Sequence, residues 1–286
     1  MGQSNAECEG LLDLSVDDRE TLRFSLTVQY DGAGFHGWQI QPDQRTVQGV
    51  LQDTLGRLGN RPCTVLGSGR TDAGVHAIGQ VASVDMPRSW NATALQRSLN
   101  ATLPDDVWVE SVRAARPDFH PRYDAVSRTY EYRIGSGPEA QSPFHRRWCW
   151  ALLDELDDEL LASAAAHLPG RHSFLAFSKA GQPERGEECT VLAAAWSEWE
   201  HGRRFTITAD RYLHHMVRYL VGTMVDIARR RREPSDLLRL LEKHPRFTTS
   251  PPAPPQGLFL SRVEYPDGVR PGHHETPPTN RSTAPA

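Results

Sequence analysis

Cysteine is scarce and scattered in this chain, with four in 286 residues. Cys8, Cys63, Cys149 and Cys189 form no C-x-x-C pair, which excludes a disulfide framework and a cysteine zinc site and leaves them as reduced packing residues. Long apolar runs are also missing. Hydrophobic residues make up 38% of the chain, and none of their clusters approaches the roughly 20 residues a membrane-spanning helix needs, so a soluble protein is expected. The first residues are acidic and lack a basic start followed by an apolar stretch, which argues against a secretory signal and makes the cytoplasm the expected compartment. A basic balance is absent too: the net charge is −4, at first sight wrong for a nucleic-acid partner.

The location of the charge changes that impression. Glu7, Glu9, Asp13, Asp17, Asp18 and Glu20 against Arg19 leave −5 in residues 1–22, so the remainder carries about +1. Residues 203–232 hold eight arginines against Asp210 and Asp226, a local +6 that can meet phosphates. The run Arg229, Arg230, Arg231 and Arg232 has two readings: phosphate contact, or a helix end whose cations offset the negative end of the dipole.

Hydrophobic periodicity supplies an architecture. Phe24, Leu26, Val28 and Tyr30 alternate with polar residues as in a half-buried strand. Val47, Val50, Leu51, Thr54, Leu55 and Leu58 follow a helical stripe. Strands near 64–66 and 80–86, a helix near 93–102 and a strand near 107–113 complete a β-α-β-β-α-β order. A second set repeats it: a strand near 126–134, a helix near 155–168, strands near 190–199 and 203–209, a long helix near 212–232 and a strand near 258–263. The expected fold is therefore α+β, with two similar halves whose antiparallel sheets meet or join, helices on one side and an active-site cleft across the other. The expected division is an acidic, mobile segment 1–22, a first subdomain 23–115, a second subdomain 116–265 and a disordered tail 266–286 rich in Pro, Thr and His. Pro251, Pro252, Pro254 and Pro255 mark residues 245–256 as an extended connector.

In the long predicted helix, Leu213, Met216, Val217, Leu220, Met224 and Ala228 form a packing stripe. Arg211, His214, His215 and Gly222 fall within about 60° of Arg218 on an adjacent stripe. His214 and His215 make a poor metal pair on a helix, where zinc is held from positions four apart, so capping, packing or nucleic-acid contact is expected of them.

The string Gly67-Ser68-Gly69-Arg70-Thr71-Asp72-Ala73-Gly74-Val75-His76 places a carboxylate beside an arginine in a glycine-rich turn. A neighbouring guanidinium favours the ionised form of Asp72 and keeps its lone pairs available for attack. The plain alternative is an Asx turn with Arg70 as a surface partner.

This string closely resembles the active-site motif of the tRNA pseudouridine synthase A family, and further matches recur in order. They include Tyr30-Asp31-Gly32, Phe35 to Gln39, Asn100, Leu103-Pro104, Phe119-His120, Arg128 to Tyr132, His172, Phe174, His214 to Arg218, Val221-Gly222 and Gly257 to Leu260. The resemblance covers about residues 23–265. One departure is Tyr219, where family members often carry asparagine, which bears on fine RNA contacts.

The resemblance implies isomerisation of uridine to pseudouridine at positions 38, 39 and 40 of the tRNA anticodon stem-loop, by a homodimer without cofactor or metal, and with Asp72 as nucleophile or carboxylate catalyst. Whether Asp72 attacks ribose C1′ or uracil C6, or assists glycal formation, stays open. Arg70 and Arg218 would hold the carboxylate, and Tyr130 would stack on the target uracil or take the C5 proton. Leu258 and Phe259 would wall the base, although burial in the last strand explains them equally well. Two other classes fit parts of the pattern. A non-catalytic RNA-binding protein of similar fold would not require Asp72 in this setting, and a carboxylate hydrolase would need a second acid or base that no recognisable spacing supplies.

Overall fold

The computed structural model describes residues 21–179, 186–244, 246–267 and 269. Cys8, the acidic residues 1–20 and the tail 270–286 lie outside the described residues, so the expectations about mobile ends are not addressed by them.

The first strand, β1 (Thr21–Tyr30), buries Phe24, Leu26, Val28 and Tyr30 as the alternation requires. A loop leads to α1 (Val47–Gly59), opened by the Thr46 side chain, which accepts from the Gly49 N–H, and closed by Asn60 in the left-handed conformation. Next come the short β2 (Leu66–Gly67), the Asp72 loop, β3 (His76–Pro87), α2 (Ala92–Thr102) and β4 (Val107–Ala114). The later residues form β5 (Ser127–Ser136), β6 (Trp150–Leu152), α3 (Asp158–Ala166), β7 (Gly170–Ser173), β8 (Glu188–Trp199), β9 (Gly202–Ala209), α4 (Met216–Ala228), α5 (Asp236–Leu241) and β10 (Leu258–Glu264).

The result is a mixed α+β fold with one ten-stranded sheet and five α-helices among the described residues. Antiparallel sheets that meet or join were expected; one sheet runs β4-β1-β3-β10-β5-β9-β8-β7, with β2 beside β3 and β6 beside β5. Most pairs are antiparallel, but β10 lies parallel to β3, and β6 parallel to β5. The β3–β10 junction matters for the site. It joins strands far apart in sequence, and Phe259 and Leu260 pair with His76 and Ala77, immediately after the Asp72 loop.

The long helix expected over 212–232 is shorter and more deeply buried than its pattern implied. It begins at Met216, after His215 adopts φ +65°, and ends at Ala228. Gly222, placed on the polar stripe by sequence, is buried against the Pro251 carbonyl. Leu220 and Met224 are fully buried, and α4 packs against α3. Truncating Leu220 to alanine would cost about 2–5 kcal/mol, because the surrounding core relaxes only partly around the space left behind. Pro251 to Pro254 are irregular as expected, ending in a 3-10 turn at Pro255–Gly257. No helix among the described residues is long and apolar enough to cross a membrane.

Candidate active site

The loop carrying Asp72 is pinned before the carboxylate is reached. The Ser68 N–H donates to Val81 O at 2.8 Å, and Gln80 Nε2 donates to Gly69 O at 2.9 Å. Trp38 N donates to Thr71 O at 3.0 Å, and the Thr71 hydroxyl shares a 2.8 Å hydrogen bond with the buried Tyr30 phenol. On the other side Val75 N donates to Asp72 O at 3.1 Å. Two glycines serve this path. Gly74 has φ +77°, a conformation that penalises any Cβ, and a Cβ on Gly67 would sit 2.5 Å from the Trp38 ring. Arg128 from β5 reaches across and donates from Nη2 to Ser68 O at 2.9 Å and from Nη1 to Asp210 O at 3.1 Å. The loop is thereby tied to the segment entering α4.

Three cationic or imidazole side chains from that segment meet Asp72. His215 Nε2 lies 3.2 Å from Oδ2, His214 Nε2 3.4 Å from Oδ1, and Arg218 Nη1 3.5 Å from Oδ2. The Asp72 side chain is 19% exposed and that of Arg218 12%, so the pair is shielded without being sealed from solvent. Arg218 is anchored twice. Its Nε donates to Ala253 O at 2.7 Å, and its own carbonyl accepts from Ala253 N at 2.9 Å.

The two histidines converge because they precede the helix. On a helix adjacent residues diverge by about 100°, whereas here His215 is left-handed and the chain turns between the two rings, whose centroids are 4.2 Å apart. Lys179 N donates to His214 O at 3.0 Å and supports the same turn. Burial pushes the His215 imidazole below the usual histidine range. The Asp72 charge opposes this shift, while His214, Arg218 and Lys179 add to it. His215 is therefore neutral near pH 7.

Tyr130 is also near. Its hydroxyl comes within 3.8 Å of where a Gly69 Cβ would stand, and its ring meets Tyr212 edge-on at 4.9 Å. Burial, and then the Asp72 charge, raise its phenol well above the ordinary range, so it stays protonated at neutral pH. A phenolate base at this position is disfavoured; the ring and a neutral hydroxyl are what the site offers.

Two expected residues behave differently. Arg70 is exposed, and no ion pair joins it to Asp72 among the described residues, so the pairing expected from their closeness in sequence is replaced by Arg218 and the histidines. Leu258 is buried at the start of β10 opposite Tyr132, a packing position. In the basic segment 203–232 each arginine of the closing run has an acidic partner. Arg229 pairs with Asp154 and Asp226, Arg230 with Asp157, Arg231 with Asp154 and Arg232 with Asp236. These pairs favour the structural reading of the arginine run over phosphate contact.

Comparison with known proteins identifies the family. A family model described as tRNA pseudouridine synthase matches residues 26–124 and 164–266, spanning both the Asp72 loop and the Arg218 helix. The tRNA pseudouridine synthase A of Methylacidiphilum infernorum is 39% identical over 244 residues, covering 85% of this chain and 95% of the relative. Those of Moorella thermoacetica and Myxococcus xanthus are each 40% identical, over 242 and 248 residues, covering 84% and 86% of this chain and 98% and 93% of the relatives. With the same elements matched on both sides of the site, the chain belongs to the tRNA pseudouridine synthase family.

Proposed function

We propose that this chain isomerises uridine to pseudouridine in tRNA, at positions 38, 39 and 40 of the anticodon stem-loop, with Asp72 as the reacting carboxylate. One observation carries the proposal: Asp72, on a loop fixed by backbone hydrogen bonds, faces Arg218, His214 and His215 from a distant part of a chain in this family. In the isomerisation the C1′–N1 bond breaks and a C1′–C5 bond forms, while C5 loses a proton and N1 gains one. Atoms and electrons balance, so a positioned carboxylate and a means of moving one proton suffice. A carboxylate that merely closed a turn, as in a non-catalytic RNA-binding protein, would not need this constellation.

The reading assigns roles residue by residue. Arg218 and His215 position Asp72, which serves as nucleophile at C1′ or C6 or assists glycal formation. The target base must leave its stack, at a cost of a few kcal/mol. Stacking on the Tyr130 ring returns about 1–3 kcal/mol of that. The exposed Arg70, two residues before Asp72, meets the RNA rather than the carboxylate, and Leu258 supports the base pocket from beneath. The residues 23–115 and 116–265 act as two halves of a cleft that holds the stem-loop, in a cytoplasmic homodimer.

The test is incubation with unmodified tRNA followed by carbodiimide-based mapping, since the product has the mass of the substrate. Pseudouridine in the anticodon stem-loop is expected. Its absence from every uridine under conditions where the tRNA is bound would contradict the reading.

A further inference from the structure

We propose that Asp72, His214 and His215 form a binding site for a zinc-like divalent ion, and that filling it arrests the enzyme. The donor geometry motivates this. A tetrahedral ion with donors at about 2.0–2.2 Å has donor–donor edges of roughly 3.2–3.6 Å. Each imidazole meets its own oxygen of the Asp72 carboxylate at a comparable separation, His215 Nε2 at 3.2 Å from Oδ2 and His214 Nε2 at 3.4 Å from Oδ1, so an ion held by one oxygen needs a small movement of one ring. One donor atom from each of the three residues lies within 4.8 Å of the others, and this is the one such trio found among the described residues. The His214 side chain is 58% exposed, so its ring has room to move toward the ion and the ion has a path from solvent. Two imidazoles and one carboxylate select zinc, cobalt, nickel or copper over magnesium and calcium, which prefer oxygen donors.

The setting argues for an inhibitory ion rather than a resident one. Arg218 lies 3.5 Å from Oδ2, and its charge opposes a dication on the same carboxylate. Affinity should therefore fall below that of a closed structural zinc site. An ion on Asp72 would occupy the lone pairs that the reaction uses and force the guanidinium away. The inhibitory part of this inference rests on Asp72 being the reacting carboxylate; the binding part does not.

Binding is measured first, on the full chain without RNA, using Co²⁺ as a visible probe and Zn²⁺ to displace it. Wild-type protein should take up one Co²⁺ with the intense absorption of a tetrahedral site, and excess Zn²⁺ should remove that signal. His214→Ala should weaken uptake at least about tenfold, the scale on which even supporting partners of a metal ligand act. His273→Ala/His274→Ala, which removes the adjacent histidine pair of the tail, should leave the signal intact. Zn²⁺ should then inhibit wild-type isomerisation reversibly on chelation, with His214→Ala shifting the inhibitory concentration upward relative to its own uninhibited rate. Equal Co²⁺ uptake by wild type and His214→Ala, or loss of the signal in the tail variant, would overturn the site. A metal-loaded site with undiminished turnover would instead overturn Asp72 as the catalyst while the binding inference stood.

Discussion

Arg218→Lys and Arg218→Ala separate charge from geometry at the site. In the structure one guanidinium performs two tasks: Nε donates to Ala253 O at 2.7 Å while Nη1 stands 3.5 Å from Asp72 Oδ2. A hydrogen bond from a charged donor contributes about 1.5–3 kcal/mol. The attraction across 3.5 Å is about 4–5 kcal/mol at an effective dielectric near 20, and the two histidines that remain beside Asp72 reduce the net loss. If about 3–4 kcal/mol of this total is felt in the transition state, Arg218→Ala slows turnover about 10²- to 10³-fold. The lysine ammonium is a single point that cannot stand at both the Nε and Nη1 positions, so Arg218→Lys should lose about 10- to 10²-fold despite its retained charge. Single-turnover tritium release from 5-tritiated uridine in tRNA reads the rate, and filter binding reads the affinity, which should change by less than about threefold if Arg218 acts on the carboxylate rather than on RNA. Thermal melts verify the fold. An Arg218→Ala protein that melts normally and turns over within about threefold of wild type would remove Arg218 as the partner of Asp72.

Further outcomes follow from the same geometry. Replacing Arg229 with glutamine breaks its pairs with Asp154 and Asp226 around a side chain only 12% exposed. A lowered melting temperature is expected, by about 2–4 °C for each kcal/mol lost, with little change in the salt dependence of tRNA binding; a flattened salt slope in a protein of unchanged stability would restore the phosphate-contact reading. Arg70→Gln should do the reverse, weakening tRNA binding and its salt dependence without lowering stability, and unchanged binding would count against an RNA contact there. Gly222→Ala puts a Cβ 2.2 Å from the Pro251 carbonyl, so α4 and the strap that includes Ala253 must separate; turnover should fall with stability, and an unaffected rate would show that the Ala253 anchor of Arg218 is dispensable. Stability should also fall on acidification. Burial lowers the imidazoles of His215 and His76 below the unfolded value, so between the folded and unfolded values the unfolded chain binds more protons and gains in relative stability. Their contribution is present above the unfolded value and lost as pH falls through the folded one. Urea midpoints that do not drop between about pH 7.5 and pH 5.5, a range spanning the ordinary histidine value, would contradict that sign.

Much of the fold was legible because it is written in short periods. The alternation of Phe24 to Tyr30 and the stripe from Val47 to Leu58 each correspond to an observed element, β1 and α1. Which strands join the sheet was not legible, since the junction rests on Phe259 and Leu260 meeting His76 and Ala77 across most of the chain. Helix α5 was overlooked although Leu237, Leu240 and Leu241 carry its signature. Within the site, Asp72 and Arg218 were readable as a pair only through the family resemblance, and the position of the histidines was not readable at all. Apolar periodicity runs through Leu213 and no glycine, proline or capping side chain announces the left-handed residue before α4, so the helix seemed to begin earlier than it does. Histidine tolerates positive φ better than most residues, and that single backbone choice turns two diverging rings into two partners of one carboxylate. The same limit applies to Arg70: sequence proximity to Asp72 said nothing about the direction its side chain would take.

The most direct measurement is single-turnover isomerisation by Asp72→Asn on tRNA whose binding is measured in parallel. The amide keeps the size and shape of the side chain but lacks the charge and the nucleophilic lone pairs. The account predicts no detectable pseudouridine and no tritium release, with tRNA affinity close to that of the wild type. Substantial turnover by a folded Asp72→Asn protein, freed of any contaminating wild-type enzyme, would contradict the assignment of Asp72 as the reacting carboxylate.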